Sequence, residues 1–131
     1  MMNHIAVSER YECLIVSENT KLRVYHLERL ILEVSKDYIE IDIDSEAITN
    51  IKLIQFYGKE YVAICGMGGQ IRLVNLKDIR KESVHVIKFD NKYKNCMDNS
   101  TWSMSFCDGV PPMLVFGSNA KTLCFIDLSS N

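Results

Sequence analysis

The sequence has little of what punctuates or staples a chain. Of 131 residues only 6 are glycine and 2 are proline, which excludes collagen-like and low-complexity chains. Its cysteines, Cys13, Cys65, Cys96, Cys107 and Cys124, are odd in number and contain no CxxC pair. That pattern argues against a zinc site or a disulfide framework, and it predicts buried free thiols in a reducing compartment. Neither charge dominates: 15 Lys plus Arg stand against 17 Asp plus Glu, so composition alone gives no polyanion or anionic membrane a reason to bind. No apolar run approaches the ~18 residues of a membrane helix. Residues 1–10 hold no apolar core of signal-peptide length. A cytoplasmic or nuclear protein without a membrane partner is the expectation. With 47% hydrophobic and 24% charged residues the chain is globular, and its length suits one domain.

Helical periodicity is also scarce, and alternation is everywhere. Leu22-Arg23-Val24-Tyr25, Tyr38-Ile39-Glu40-Ile41-Asp42-Ile43 and Val84-His85-Val86-Ile87-Lys88-Phe89 place every second side chain on one face, as half-buried strands require. Turn formers separate such runs, among them Glu18-Asn19-Thr20, Gly66-Met67-Gly68-Gly69, Asp108-Gly109-Val110-Pro111-Pro112 and Ser118-Asn119-Ala120. Residues 27–35 carry the one helix-compatible pattern and read equally as a turn entering a strand, which is the reading adopted.

The strands repeat. The segments 13–27, 62–76 and 114–128 each read as an apolar strand, a small residue, a short turn and a second apolar strand ending in a polar residue and Leu. Ser17 to Leu22, Gly66 to Ile71 and Ser118 to Leu123 are each five steps. A further strand precedes each unit, cut short by the start in the first copy, and an outer strand follows the first two, near residues 32–43 and 84–89. The extra residues of the third copy fall in a loop, where a true repeat should vary. Four strands at a period of roughly 49 to 52 residues predict an all-β fold of antiparallel four-stranded repeats. The expected architecture is a partial β-propeller of under three blades: 1–45, 46–95 and an incomplete 96–131. A meandering β-sandwich is the alternative.

The pattern resembles WD40-like propellers, with His26-Leu27, Asn75-Leu76 and Asp127-Leu128 standing where that family closes its third strand with Trp-Asp. Three further stretches, residues 48–53 with 60–71, Asn99-Ser100-Thr101-Trp102-Ser103-Met104-Ser105-Phe106, and Met113-Leu114-Val115-Phe116-Gly117-Ser118-Asn119, look like strands and hairpins of the fungal Crt10 family. That resemblance implies a WD40 scaffold working with a cullin-type ubiquitin ligase in control of ribonucleotide reductase gene expression. A cullin-ligase adaptor would then be the partner.

Chemistry-bearing residues are few. Gly66-Met67-Gly68-Gly69 is followed by an alternating strand rather than the helix a phosphate loop needs, so it reads as a hairpin turn. Asp42, Asp44 and Glu46 lack the spacing and glycine of a calcium loop and read as a solvated strand end. His4, His26 and His85 are scattered, and a Cys–His pair such as His26 with Cys124 would need tertiary proximity. Lys88, Lys92, Tyr93 and Lys94 interleave bases with an aromatic, which can bind a nucleic-acid strand through charge and stacking. A solvated loop between blades is the plainer reading, and nucleic acid is not the favoured partner. Trp102, the one tryptophan, is expected to pack between blades. No catalytic, metal or cofactor-binding constellation emerges. The expected function is a non-catalytic protein-interaction scaffold, with nucleic-acid contact through residues 88–94 as the alternative. Open ends of so short a propeller are expected to be covered by missing blades or by self-association.

Overall fold

The computed structural model describes residues 3–28, 38–43, 47–67, 70–87, 101–118 and 123–130. They form eleven strands in three antiparallel sheets. The first sheet takes β1 (Asn3–Ser8), β2 (Cys13–Glu18), β3 (Lys21–His26) and β4 (Tyr38–Asp42) in sequence order. The second takes β5 (Ile48–Phe56), β6 (Lys59–Gly66), β7 (Arg72–Asn75) and β8 (Val84–Val86). The third takes β9 (Thr101–Cys107), β10 (Met113–Ser118) and β11 (Leu123–Asp127). The fold is all-β, and three stacked meanders of four, four and three strands make a partial propeller-like array.

Hydrophobic alternation fixes the stacking. Along β6, Val62 and Ile64 enter a core shared with Cys13, Ile15, Leu22 and Val24 of the first sheet. Ala63 and Cys65, pointing the other way, enter a core shared with Met104, Leu114, Phe116, Cys124 and Ile126 of the third. A strand buried on both faces reads as a continuous apolar run, which is what residues 61–65 are. Truncating Ile64 to Ala would cost about 2–5 kcal/mol. One extra residue at Thr49 bulges β5, since Ile48 pairs with Gly66 and Asn50 with Cys65. The bulge keeps Ile48 and Ile51 on the same face, toward the first sheet. Backbone contact between sheets is carried by β1, β2, β5, β6 and β9, with β1 against β5 and β5 against β9. The sheets therefore spread outward from a line of first strands, the arrangement of propeller blades.

Several expectations need correction. Strand β1 is not cut short; it pairs with β2 at every position from Asn3–Glu18 to Ser8–Cys13. Leu27 and Glu28 are helical rather than extended, and residues 29–37 lie outside the described residues. The repeat register in β2 is also one residue out. Because β2 and β3 close through a two-residue turn, with Glu18 opposite Lys21, the partner of Arg23 is Val16. In the second sheet the partner of Arg72 is Ile64. Val16 thus corresponds to Ile64, and Leu14 to Val62, not Ile15 and Cys13. Finally, Cys124 is disulfide-bonded, whereas Cys13, Cys65 and Cys107 form no disulfide. The reading of all five thiols as free does not hold. No helix is long and apolar enough to cross a membrane among the described residues.

Candidate functional site

The residues singled out in the sequence do not converge. Lys88, Lys92, Tyr93 and Lys94 lie outside the described residues, as do Asp44, Glu46, Gly68 and Gly69. Trp102 sits in β9, with its side chain outside the description. His26 ends β3 in the first sheet and is exposed, while Cys124 is buried between the second and third sheets; the second sheet stands between them. Gly66 closes β6, and after the turn the chain runs into β7, so a hairpin and not a helix follows these glycines.

A different cluster does form a concave site. Phe56, Tyr61, Leu73, Asn75, Asp78, Ser83 and His85 line a cleft of about 330 Å³ on the side of the second sheet that faces the third. Its floor follows from the β5–β6 hairpin. Tyr57 and Gly58 both adopt positive φ, 51° and 72°, and join Phe56 directly to Lys59 across a two-residue turn. This is the turn whose twist matches the flanking strands, and glycine at its second position adopts the conformation without a Cβ penalty. Ile54 lies opposite Tyr61, so Phe56 and Tyr61 are diagonal neighbours on one face. Their rings stack at 4.9 Å with an interplanar angle of 19°. Phe106 of β9 leans on Phe56 from the third sheet at 6.3 Å, and Tyr57 meets it edge-on at 5.7 Å. Burial pushes the Tyr61 phenol up, so it stays protonated and available as a donor at neutral pH.

The wall is the connection from β7 to β8. Arg80 donates from Nε and Nη2 to the two oxygens of Asp78, each at 2.8 Å, and Ser83 Oγ donates to Asp78 Oδ2 at 3.1 Å. These hydrogen bonds, Arg80 first and Ser83 next, hold the Asp78 carboxyl below its ordinary value. Asn75 Oδ1 accepts from Lys77 N at 3.0 Å, and Asp78 N donates to the Asn75 carbonyl at 3.1 Å. The wall is thus pre-ordered and carries one anionic group whose position is fixed. Ser83 directs its proton at Asp78 itself, which makes it a structural donor. The cleft combines an aromatic floor with a polar rim, the make-up of sites that hold one apolar side chain and orient it by hydrogen bonds.

Opposite this cleft, the seam between the first and second sheets is closed by polar ties. The buried Ser8 hydroxyl donates to the buried Glu60 carboxylate and accepts from Tyr11 N at 3.1 Å. Arg10 Nη1 donates to the Gly58 carbonyl at 2.8 Å. Cys13 sits beside this network. Burial first and the charge of Glu60 second push its thiol up, against a smaller lowering by the Ser8 hydrogen bond. The thiol is inert rather than nucleophilic.

The cleft residues went unremarked in the sequence, although two signals mark them. Phe56-Tyr57-Gly58-Lys59 is a hairpin turn with aromatics at fixed offsets, and Asp78-Ile79-Arg80 is a local acid–base pair in a turn. No family model and no curated protein matches the chain.

Proposed function

We propose that the chain is a non-catalytic protein-interaction scaffold whose cleft at Phe56, Tyr61 and His85 receives an apolar or aromatic side chain from an extended segment of a partner protein. The observation that supports this most directly is the stacked Phe56–Tyr61 floor beside a carboxylate already held by Arg80 and Ser83. Rigid aromatic surface in a pre-ordered pocket binds at low entropic cost. The resemblance noted in the sequence supports a ligase-linked partner, and affinity capture from a fungal extract tests that assignment.

The binding reading itself is tested by selecting peptides from a random library on the 131-residue chain. His85 lines the cleft and is exposed, so His85→Glu adds a second negative charge beside Asp78 without disturbing the core. Selected peptides are expected to share one apolar or aromatic anchor, and to bind the His85→Glu variant at least about tenfold more weakly. Peptides that bind both forms equally, or a library yielding no common anchor, would overturn the assignment.

A further inference from the structure

The register defined above gives each sheet one forward face and one backward face. The forward face carries a pair of large apolar residues on, or directly before, its third strand: Leu22 and Val24 in the first sheet, Ile71 and Leu73 in the second, Leu123 and Phe125 in the third. The backward face carries a pair on its second strand: Leu14 and Val16, Val62 and Ile64, Leu114 and Phe116. Cross-strand rows bear out the equivalence of the backward faces. Ile5–Val16–Arg23 in the first sheet matches Ile51–Ile64–Arg72 in the second and Met104–Phe116–Cys124 in the third. Val7–Leu14–Tyr25 likewise matches Leu53–Val62–Val74 and Phe106–Leu114–Ile126.

Two forward–backward pairs are used inside the chain. Leu22 and Val24 pack with Val62 and Ile64, and Ile71 and Leu73 pack with Leu114 and Phe116. One face of each kind is left over. On the backward face of the first sheet, Ile5 is 65% and Val7 47% exposed. On the forward face of the third, Leu123 is 64% and Phe125 51% exposed. These faces occupy the same positions one repeat further on: their inner strands present apolar side chains as the interior faces do, while the outer half of the first sheet's face carries the Lys21–Glu40, Arg23–Glu18 and Arg23–Glu40 ion pairs.

We propose that two copies of this chain close head to tail, the backward face of the first sheet of each packing on the forward face of the third sheet of the other. The occupant of each open face is a second copy, because the fold already uses this face pair twice. The number follows from closure. A contact between unlike faces builds a ring or an open filament. The three sheets of the described residues, taken twice, give six blades, within the four to eight of known propellers. The inference goes beyond the cleft reading and does not depend on it; Ile5 and Phe125 are not cleft residues.

Sedimentation equilibrium on the 131-residue chain tests it, with Ile5→Glu and Phe125→Glu as variants. Both side chains are exposed, so far-UV circular dichroism is expected to be unchanged. The unaltered chain is expected at twice its 15.1 kDa mass at micromolar concentration, and each variant alone at 15.1 kDa. Mixing the two variants restores one intact face pair, so a species of two chains is expected to reappear. A monomeric unaltered chain would mean that something other than a second copy covers these faces, and the proposal falls. It also falls on an open series of larger species, or if only one of the two substitutions releases monomer, since that is the signature of like faces in contact.

Discussion

Ser8 gives its hydroxyl proton to Glu60 across the seam between the first and second sheets, and both side chains are buried. They are 52 residues apart in sequence and belong to different sheets. The bond therefore reports on the docking of two sheets, not on the folding of either. Ser8→Ala removes the donor to Glu60 and the acceptor for Tyr11 N together. Chemical denaturation is expected to show a loss of about 1–3 kcal/mol, because a buried carboxylate is left short of a partner. Glu60→Gln keeps an acceptor oxygen in place, so the expected loss is nearer ~1 kcal/mol. Equal losses for the two variants would show that the bond is not what the seam depends on.

Tyr57 holds a positive φ of 51° while largely exposed. Left-handed backbone costs an aromatic residue about 1–2 kcal/mol, and asparagine tolerates it. Tyr57→Asn is expected to raise the thermal midpoint by a few degrees, equivalent to ~0.5–1 kcal/mol after loss of the edge contact with Phe56. The same variant is expected to weaken peptides that bind the cleft, since Tyr57 borders its aromatic floor. A gain in stability with no loss of binding would remove Tyr57 from the recognition surface.

Asp78 sets the acid sensitivity of the cleft wall. Its carboxyl is held below the ordinary value by Arg80 and then Ser83. A carboxyl with a lowered folded-state pKa contributes stability above its unfolded pKa and loses it as pH falls through the folded value. The difference in thermal midpoint between the unaltered chain and Asp78→Asn is therefore expected to be largest near neutral pH and to shrink in acid below the ordinary carboxylate range. The group is exposed, so the whole effect is small and reduced by salt. A difference that stays constant from neutral to strongly acid pH would contradict the role given to the pair.

Thiol chemistry should sort Cys13, Cys65 and Cys107 by burial. Cys107 is exposed, while Cys13 and Cys65 are buried, and burial and the charge of Glu60 push the Cys13 thiol up. Alkylation of the native chain followed by mass spectrometry is expected to label Cys107 first and Cys13 and Cys65 only on unfolding. Rapid labelling of Cys13 would show that the first seam opens.

Much of this fold was legible in the sequence because burial leaves a period-two imprint. Residues 38–43 alternate, 61–65 do not, and each pattern reflects how many faces of its strand are covered. The offset in β2 was not legible. Aligning Ser17 with Gly66 follows composition, whereas register follows the length of the turn, and Asn19-Thr20 is shorter than the turn after Gly66. The cleft escaped because its parts come from two hairpins. Phe56 and Tyr61 read singly as core, and only the pairing of Ile54 with Tyr61 brings their rings together. The Cys124 disulfide escaped because cysteine spacing alone carries no tertiary proximity.

The double burial of β6 has a consequence in time. Its amides sit in a ladder between β5 and β7, with one core on each side. Releasing the first sheet leaves them covered by the third, and releasing the third leaves them covered by the first. Hydrogen exchange at residues 62–65 therefore waits on the rarest opening in the molecule, while β1 and β11, each covered on only one face by their own chain, exchange through smaller excursions. The middle sheet is the clock against which every other opening of this protein runs fast.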